Sequence, residues 1–142
     1  TDRFGALTVD TKKAALLLVP TALGAVPPVA PAHSVDDFTC YKVAISKNTP
    51  KLPKGLQAEV ASAFGPTRTV DLKSLALVCV ATDRGAGRKN PDARLACYKA
   101  KPAKGQPKMT PSPTQAIASD LAAATVDAVG DALLCVPATT TP

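Results

Sequence analysis

One block of sequence occurs twice in this chain, and each copy carries two cysteines. Asp37-Phe38-Thr39-Cys40-Tyr41-Lys42 returns as Arg94-Leu95-Ala96-Cys97-Tyr98-Lys99, and the register holds through Lys47, Pro50 and Lys51 against Lys104, Pro107 and Lys108. Val60-Ala61-Ser62 then matches Ile117-Ala118-Ser119. After a one-residue gap, Thr69-Val70-Asp71 and Ala76-Leu77-Val78-Cys79-Val80 align with Thr125-Val126-Asp127 and Ala132-Leu133-Leu134-Cys135-Val136. A partial third copy opens the chain. Leu7-Thr8-Val9-Asp10 and Ala15-Leu16-Leu17-Leu18-Val19-Pro20 run in register with Ala124 to Asp127 and Ala132 to Pro137, and Leu18 stands where the cysteine should be. No other feature constrains the fold as tightly, because two copies of one pattern build two copies of one supersecondary unit.

The half copy lacks its cysteine and also lacks a Cys-Tyr-Lys strand ahead of it. That joint absence favours pairing within each full copy, Cys40 with Cys79 and Cys97 with Cys135, over the other two connectivities open to four cysteines. Free thiols and zinc are the competing readings. Zinc is disfavoured because no two cysteines lie close in sequence and the single histidine, His33, sits in a proline-rich stretch. Paired cysteines place the chain outside the cytoplasm, secreted, extracellular or at the cell surface. Lys12-Lys13, the apolar run Ala14 to Val29 and Ala30-Pro31-Ala32 have the form of a signal peptide cleaved near His33. The register of these residues with the later copies favours a retained structural segment instead, with the export signal removed upstream. No apolar run reaches the roughly 20 residues that span a bilayer, so a membrane-spanning chain is not expected.

With three Phe, two Tyr, no Trp and 14 Pro in 142 residues, the core must be built from small aliphatic groups. Long helices are disfavoured, because an internal proline costs a helix about 3 kcal/mol. Leu56, Ala58, Val60, Ser62 and Phe64 alternate with polar neighbours as a half-buried strand does. Repeat symmetry extends that reading to the Ala-rich stretch around Ile117. Phe38 to Ile45, Leu75 to Val80, Leu95 to Lys101 and Leu133 to Val136 read as strands carrying the cysteines. The expected fold is all-β, a sandwich or barrel-like domain from two tandem disulfide-stapled repeats, with an N-terminal β-strand arm. Its parts are the half-repeat arm 1–21, a Pro-rich linker 22–36, repeat 1 at 37–82, a joining loop 83–93, repeat 2 at 94–138 and a Thr/Pro tail 139–142. The linker should be extended, reaching some 40 Å at about 3 Å per residue.

Motifs that carry chemistry are few. Asp83 to Asp92 has glycine spacing faintly like a phosphate loop, but it lacks the third glycine and no helix-forming run follows, so a flexible turn is expected. Calcium on Asp83, Asn90 and Asp92 is opposed by Arg84, Arg88 and Lys89. No residues are nominated as catalytic, no metal or cofactor is implied, and the expectation is a protein that is not an enzyme. Tyr41 and Tyr98, each next to a cysteine, face away from it along a strand. They are expected to pack against a neighbouring strand or subunit rather than to stack on a ligand. The net charge of +6 is spread along the chain. Its densest stretch, Arg84 to Lys108, has one aromatic and lacks the interleaved aromatics of single-strand nucleic-acid binders, so no nucleic-acid partner is expected. A solvated basic face is the plain reading, with an anionic cell surface or polysaccharide as the alternative.

Phe38-x-Cys40-Tyr41-Lys42, Pro50-Lys51, Asn90-Pro91-Asp92-Ala93-Arg94-Leu95-x-Cys97-Tyr98-Lys99 and Leu134-Cys135-Val136-Pro137 resemble an uncharacterised group of secreted bacterial proteins. Those proteins carry tandem units of hydrophobic-x-Cys-Tyr-Lys followed by Leu-Cys-x-Pro. The resemblance implies export and no activity. This chain departs from that pattern in its Ala-rich second repeat and in the Leu18 half copy with its spacer. A detached strand, homologous to strands the domain already uses, could add to the sheet edge of another copy. The expected function is thus a secreted structural subunit of an extracellular filament, a head-to-tail homopolymer formed by strand exchange. Leu7, Val9, Leu16, Leu17, Leu18 and Val19 would form the subunit interface, the last four as buried anchors. The alternative is a monomeric secreted binding module whose half copy folds back on its own domain.

Overall fold

The computed structural model describes residues 1–24 and 35–139. Most of the proline-rich linker, with His33, and the end of the Thr/Pro tail lie outside the described residues. Among the described residues there are nine strands and no helix: β1 Val9–Leu18, β2 Ala22–Gly24, β3 Asp37–Ile45, β4 Gln57–Ser62, β5 Gly65–Thr82, β6 Arg94–Pro102, β7 Ser112–Ala118, β8 Ala123–Ala128 and β9 Leu133–Ala138. They form a six-stranded sheet in the order β1-β3-β5-β6-β9, with β4 added to β5, and a three-stranded sheet β2-β7-β8. The chain is all-β and sandwich-like. Repeat 1 supplies β3 to β5 and repeat 2 supplies β6 to β9.

Each cysteine-bearing strand lies antiparallel beside its partner, with Cys40 directly opposite Cys79 and Cys97 directly opposite Cys135. Both pairs are bonded, at Cα separations of 3.9 and 4.0 Å. Directly opposed residues at a non-hydrogen-bonded position bring their side chains closest together, so the repeat places each thiol against its partner without bending the backbone. Around the sulfurs, Leu77 is buried, and Leu18, Phe38, Leu95 and Leu133 pack against the cluster. A second cluster, of Ala58, Val70, Leu72, Ala96, Tyr98 and Val136, is covered by Phe4, Leu56 and Leu134 among others. Both are mainly aliphatic, and three of the five aromatic residues, Phe38 in the first and Tyr98 and Phe4 in the second, are gathered into them.

The two repeats differ at one place. β5 runs unbroken for 18 residues, pairing with β4 in its first half and β3 in its second, while β6 lies along its other edge. In repeat 2 the matching strand is broken into β8 and β9, and the hairpin β7-β8 leaves the main sheet to pair with β2. Two causes are visible. β6 supports the middle of β5 through Ala100 to Pro102, whereas among the described residues no strand other than β7 lies beside β8. The break also carries Gly130 and Asp131 where repeat 1 has Ser74 and Leu75; glycine weakens a strand interior, and the Asp131 carboxylate turns to the guanidinium of Arg68, itself 4% exposed. The stretch Ala22 to Gly24, expected to begin an extended spacer, is instead a short strand on β7, because its three residues match the edge of that hairpin from Ala118 to Ala116.

Each disulfide closes a loop of 38 or 39 residues, which by chain-entropy reasoning is worth about 4 kcal/mol. Replacing Cys40 and Cys79 together by alanine should lower the unfolding free energy by about that amount in urea titration. The pair Cys97 and Cys135 should cost less, because Cys135 is exposed at the rim while Cys40, Cys79 and Cys97 are fully buried.

Candidate functional site

The outer edge of β3 is the place where the half copy and the first full copy meet. β1 pairs with it from Val9 opposite Ile45 to Leu18 opposite Phe38. The joint between the two full repeats, β5 on β6, has the same register residue for residue. Val70 faces Pro102, Leu77 faces Cys97 and Cys79 faces Leu95, just as Val9 faces Ile45, Leu16 faces Cys40 and Leu18 faces Phe38. Even the irregularities coincide. Register shifts fall between Thr11 and Lys13 and between Ala14 and Leu16 in one ladder, and between Leu72 and Ser74 and between Leu75 and Leu77 in the other. The residues skipped are Lys12 and Ala15 in β1, and Lys73 and Ala76 in β5. A bulge inserts one residue and sends the side chains that follow to the other face, so two matched bulges keep the leucines of both strands against a Cys-Tyr-Lys strand.

The six residues expected at a subunit interface are therefore together on one arm, and that arm lies on β3 of its own chain. Of the four expected as buried anchors, Leu16 and Leu17 are 46% exposed. Leu18 and Val19 are half-buried, as are Leu7 and Val9. The reason is position. β5 has a strand on either side and its Leu77 is 6% exposed, whereas among the described residues β1 has a strand on one side only. Leu18 packs against the cysteine cluster.

Thr1 to Phe4, ahead of β1 and marked by no pattern in the sequence, hold the far end of the same sheet. Thr1 and Thr139 exchange backbone hydrogen bonds of 2.8 Å each, and Asp2 bridges to Ala138 at the end of β9. Phe4 stacks edge-on against Tyr98 with ring centroids 5.5 Å apart, and the Tyr98 hydroxyl donates to the Asp2 carboxylate. Tyr98 is 2% exposed, so it is a core residue and offers no stacking surface. Tyr41, opposite Ala14 on β1, is half-buried.

The joining loop is ordered by carboxylates. Asp83 accepts the backbone N–H groups of Gly85 at 2.7 Å and Gly87 at 2.9 Å. The amides that a phosphate loop would offer outward are thus turned onto the chain's own side chain. Buried Asp36 accepts from the amides of Lys89 at 2.6 Å and Asn90 at 2.7 Å. Arg84 donates to buried Asp37 at 2.7 Å and through Nη2 to both oxygens of Asp120 at 2.8 Å. The bonds to Asp37 and then Asp120 hold this guanidinium protonated more firmly than usual. The loop expected to be a flexible turn is therefore tied to the start of β3 at several points. Among the described residues no group of three His, Cys, Asp or Glu side chains is placed to hold a metal ion, and no helix is long and apolar enough to cross a membrane. Lys101, Lys104 and Lys108 ring an open groove of about 580 Å³.

Fold and site together define an all-β, disulfide-bonded protein with a tandem-strand sheet whose two ends are met by one N-terminal segment. Comparison with protein-family models, with curated proteins and with solved structures finds no match to this chain.

Burial, and then the bond to Asp2, push the Tyr98 phenol well above its ordinary value. The folded chain holds that proton more tightly than the unfolded one, so the stability it contributes is complete below about pH 10 and is lost as the pH rises beyond it. Thermal unfolding followed from about pH 9 upward should show a falling midpoint in the native chain and a flatter one in Tyr98→Phe.

Proposed function

We propose that this protein is a secreted structural subunit of an extracellular filament or surface assembly, in which the segment Leu7 to Val19 is donated to β3 of a neighbouring copy. The observation that carries this reading is the identity of the β1-β3 and β5-β6 ladders. The edge of β3 is shaped for this strand by backbone register, and a ladder of this kind is indifferent to whether the strand comes from the same chain or another. The connection from Val19 to Asp36 far exceeds the roughly two to five residues of a hairpin loop, so β1 is not forced onto its own β3. Exchange of identical contacts adds little energetic cost, and concentration drives it. The exposed leucines of the arm, Leu16 and Leu17, favour association over isolation. Donation in one direction does not close on itself and yields a filament. The disulfides support an oxidising, extracellular location.

Asp10 and Ala44 lie directly opposite each other, on the same ladder as the Leu16–Cys40 pair. In the double variant Asp10→Cys, Ala44→Cys, filaments collected for electron microscopy should contain a ladder of disulfide-linked chains on a non-reducing gel. If every chain in the assembled fraction carries the new bond internally, strand donation is wrong.

The lysine-ringed groove supports a second reading, a monomeric secreted module that binds an anionic surface or polysaccharide. On that reading, replacing Lys101, Lys104 and Lys108 together by glutamate should abolish retention on an immobilised sulfated polysaccharide at low salt. Unchanged retention would dispose of it.

A further inference from the structure

The ladder that places β1 on β3 also says what else fits there. Strands of two kinds alternate across the sheet: β3 and β6 carry Cys-Tyr-Lys, while β1, β5 and β9 carry the leucine-rich pattern. β6 has a leucine-rich strand on each side, β5 and β9, and β3 likewise has β1 and β5. Among the described residues β9 has a Cys-Tyr-Lys strand on one side only. Its other side has the chemistry by which β5 holds β6, and Cys135 lies exposed there where Cys79 is fully covered. The backbone of Thr139 faces Thr1 on that side, so by strand alternation Cys135 and Leu133 also direct their N–H and C=O groups outward.

Ala15-Leu16-Leu17-Leu18-Val19-Pro20 differs from Ala132-Leu133-Leu134-Cys135-Val136-Pro137 at one position. β1 is thus a near-copy of β9, seated on the strand that β9 would choose in a second molecule. We propose that the outer edges of β9 and β3 are complementary docking surfaces between two copies of this chain, and that residues 1–18 cover both in the isolated chain. β1 covers β3, and Thr1 and Asp2 cover the end of β9. With β1 displaced, the joint follows the β5-β6 register: Leu133 opposite Cys40, Leu134 opposite Thr39 and Cys135 opposite Phe38. This joint is distinct from strand donation, since it uses β9 and needs the edge of β3 empty.

Two cross-strand pairs make β1 a weaker occupant of the edge of β3 than β5 is of the edge of β6. Lys13 faces Lys42 where β5 sets Ser74 against Lys99, and Asp10 faces Ala44 where β5 sets Asp71 against Lys101. Like charges directly opposed destabilise a ladder, and opposite charges support it. β1 keeps its place through its ten-residue length and its tether, and β9 of another copy gains access when β1 is loosened.

The test uses the full chain with β1 detached in two ways. Leu16→Pro removes a backbone donor from the ladder to β3, and Leu18→Lys places a charge against the cysteine cluster. Peptide mapping of the two native disulfides reports whether the core is intact, and sedimentation velocity reports assembly. Both variants should keep the native disulfides and sediment as multiples of one chain, and an excess of synthetic peptide Leu7 to Pro20 should return them to single chains by refilling β3. The proposal is overturned if a variant with native disulfides stays monomeric at concentrations of about a millimolar, or if its assemblies ignore the peptide. It is equally overturned if neither variant forms the native disulfides, because β1 is then a part of the core and not a removable cover. None of these results depends on whether the unmodified chain donates its strand, which the Asp10→Cys, Ala44→Cys variant reports separately.

Discussion

Everything in this structure depends on one pairing rule: a Cys-Tyr-Lys strand takes a leucine-rich strand on each side, antiparallel and in a single register. Within a repeat the rule sets two cysteines face to face, and the disulfide forms across the ladder. Between repeats it sets Leu77 against Cys97 and Cys79 against Leu95. The sulfurs of one bridge come to lie beside those of the next, Cys79 and Cys97 being 3.7 Å apart. A core this poor in aromatic groups gains little from each side chain. The covalent bridges and the long ladders take over the task that large residues perform elsewhere.

The same rule accounts for where the symmetry of the duplication ends. The interior strands β3, β5 and β6 are paired on both edges and run unbroken; β8 is paired on one edge, with β7, and the chain leaves the strand at Gly130 and turns Asp131 to Arg68. That ion pair joins the hairpin of repeat 1 to the break in repeat 2, and the Arg68 side chain is buried with Nε and Nη1 unpaired. A buried guanidinium with one carboxylate partner contributes little net stability but is expensive to orphan. Its effect is to hold the departure from symmetry in one geometry.

The proposed assembly through strand edges rests on this architecture rather than on any separate binding site. A sheet built by adding alternate strands has no intrinsic end, and its last strands expose the same backbone groups that its inner strands use. The N-terminal segment meets both ends, through β1 at β3 and through Thr1 and Asp2 at β9. In both proposals it is the part on which the state of association would turn, by moving between chains or by giving way to β9.

The sequence by itself determined the all-β class, the strands that carry the cysteines and the register between copies. Those features are written locally, in alternation, in proline content and in a duplication that can be aligned by eye. The absence of a cysteine at Leu18 pointed to bridges within each repeat, which is how the cysteines are joined. Only the tertiary structure decided where the half copy lies, since a free strand edge is a property of neighbours and not of residues. It also decided that Leu16 and Leu17 are half exposed, that Ala22 to Gly24 join a second sheet, and that Asp36, Asp37 and Asp83 tie down the joining loop. The role of Thr1 to Phe4 was not legible at all. Their partners Tyr98, Ala138 and Thr139 lie far along the chain, 96 residues on for the Asp2–Tyr98 bond and 138 for Thr1–Thr139, and no local pattern records a contact made across that distance.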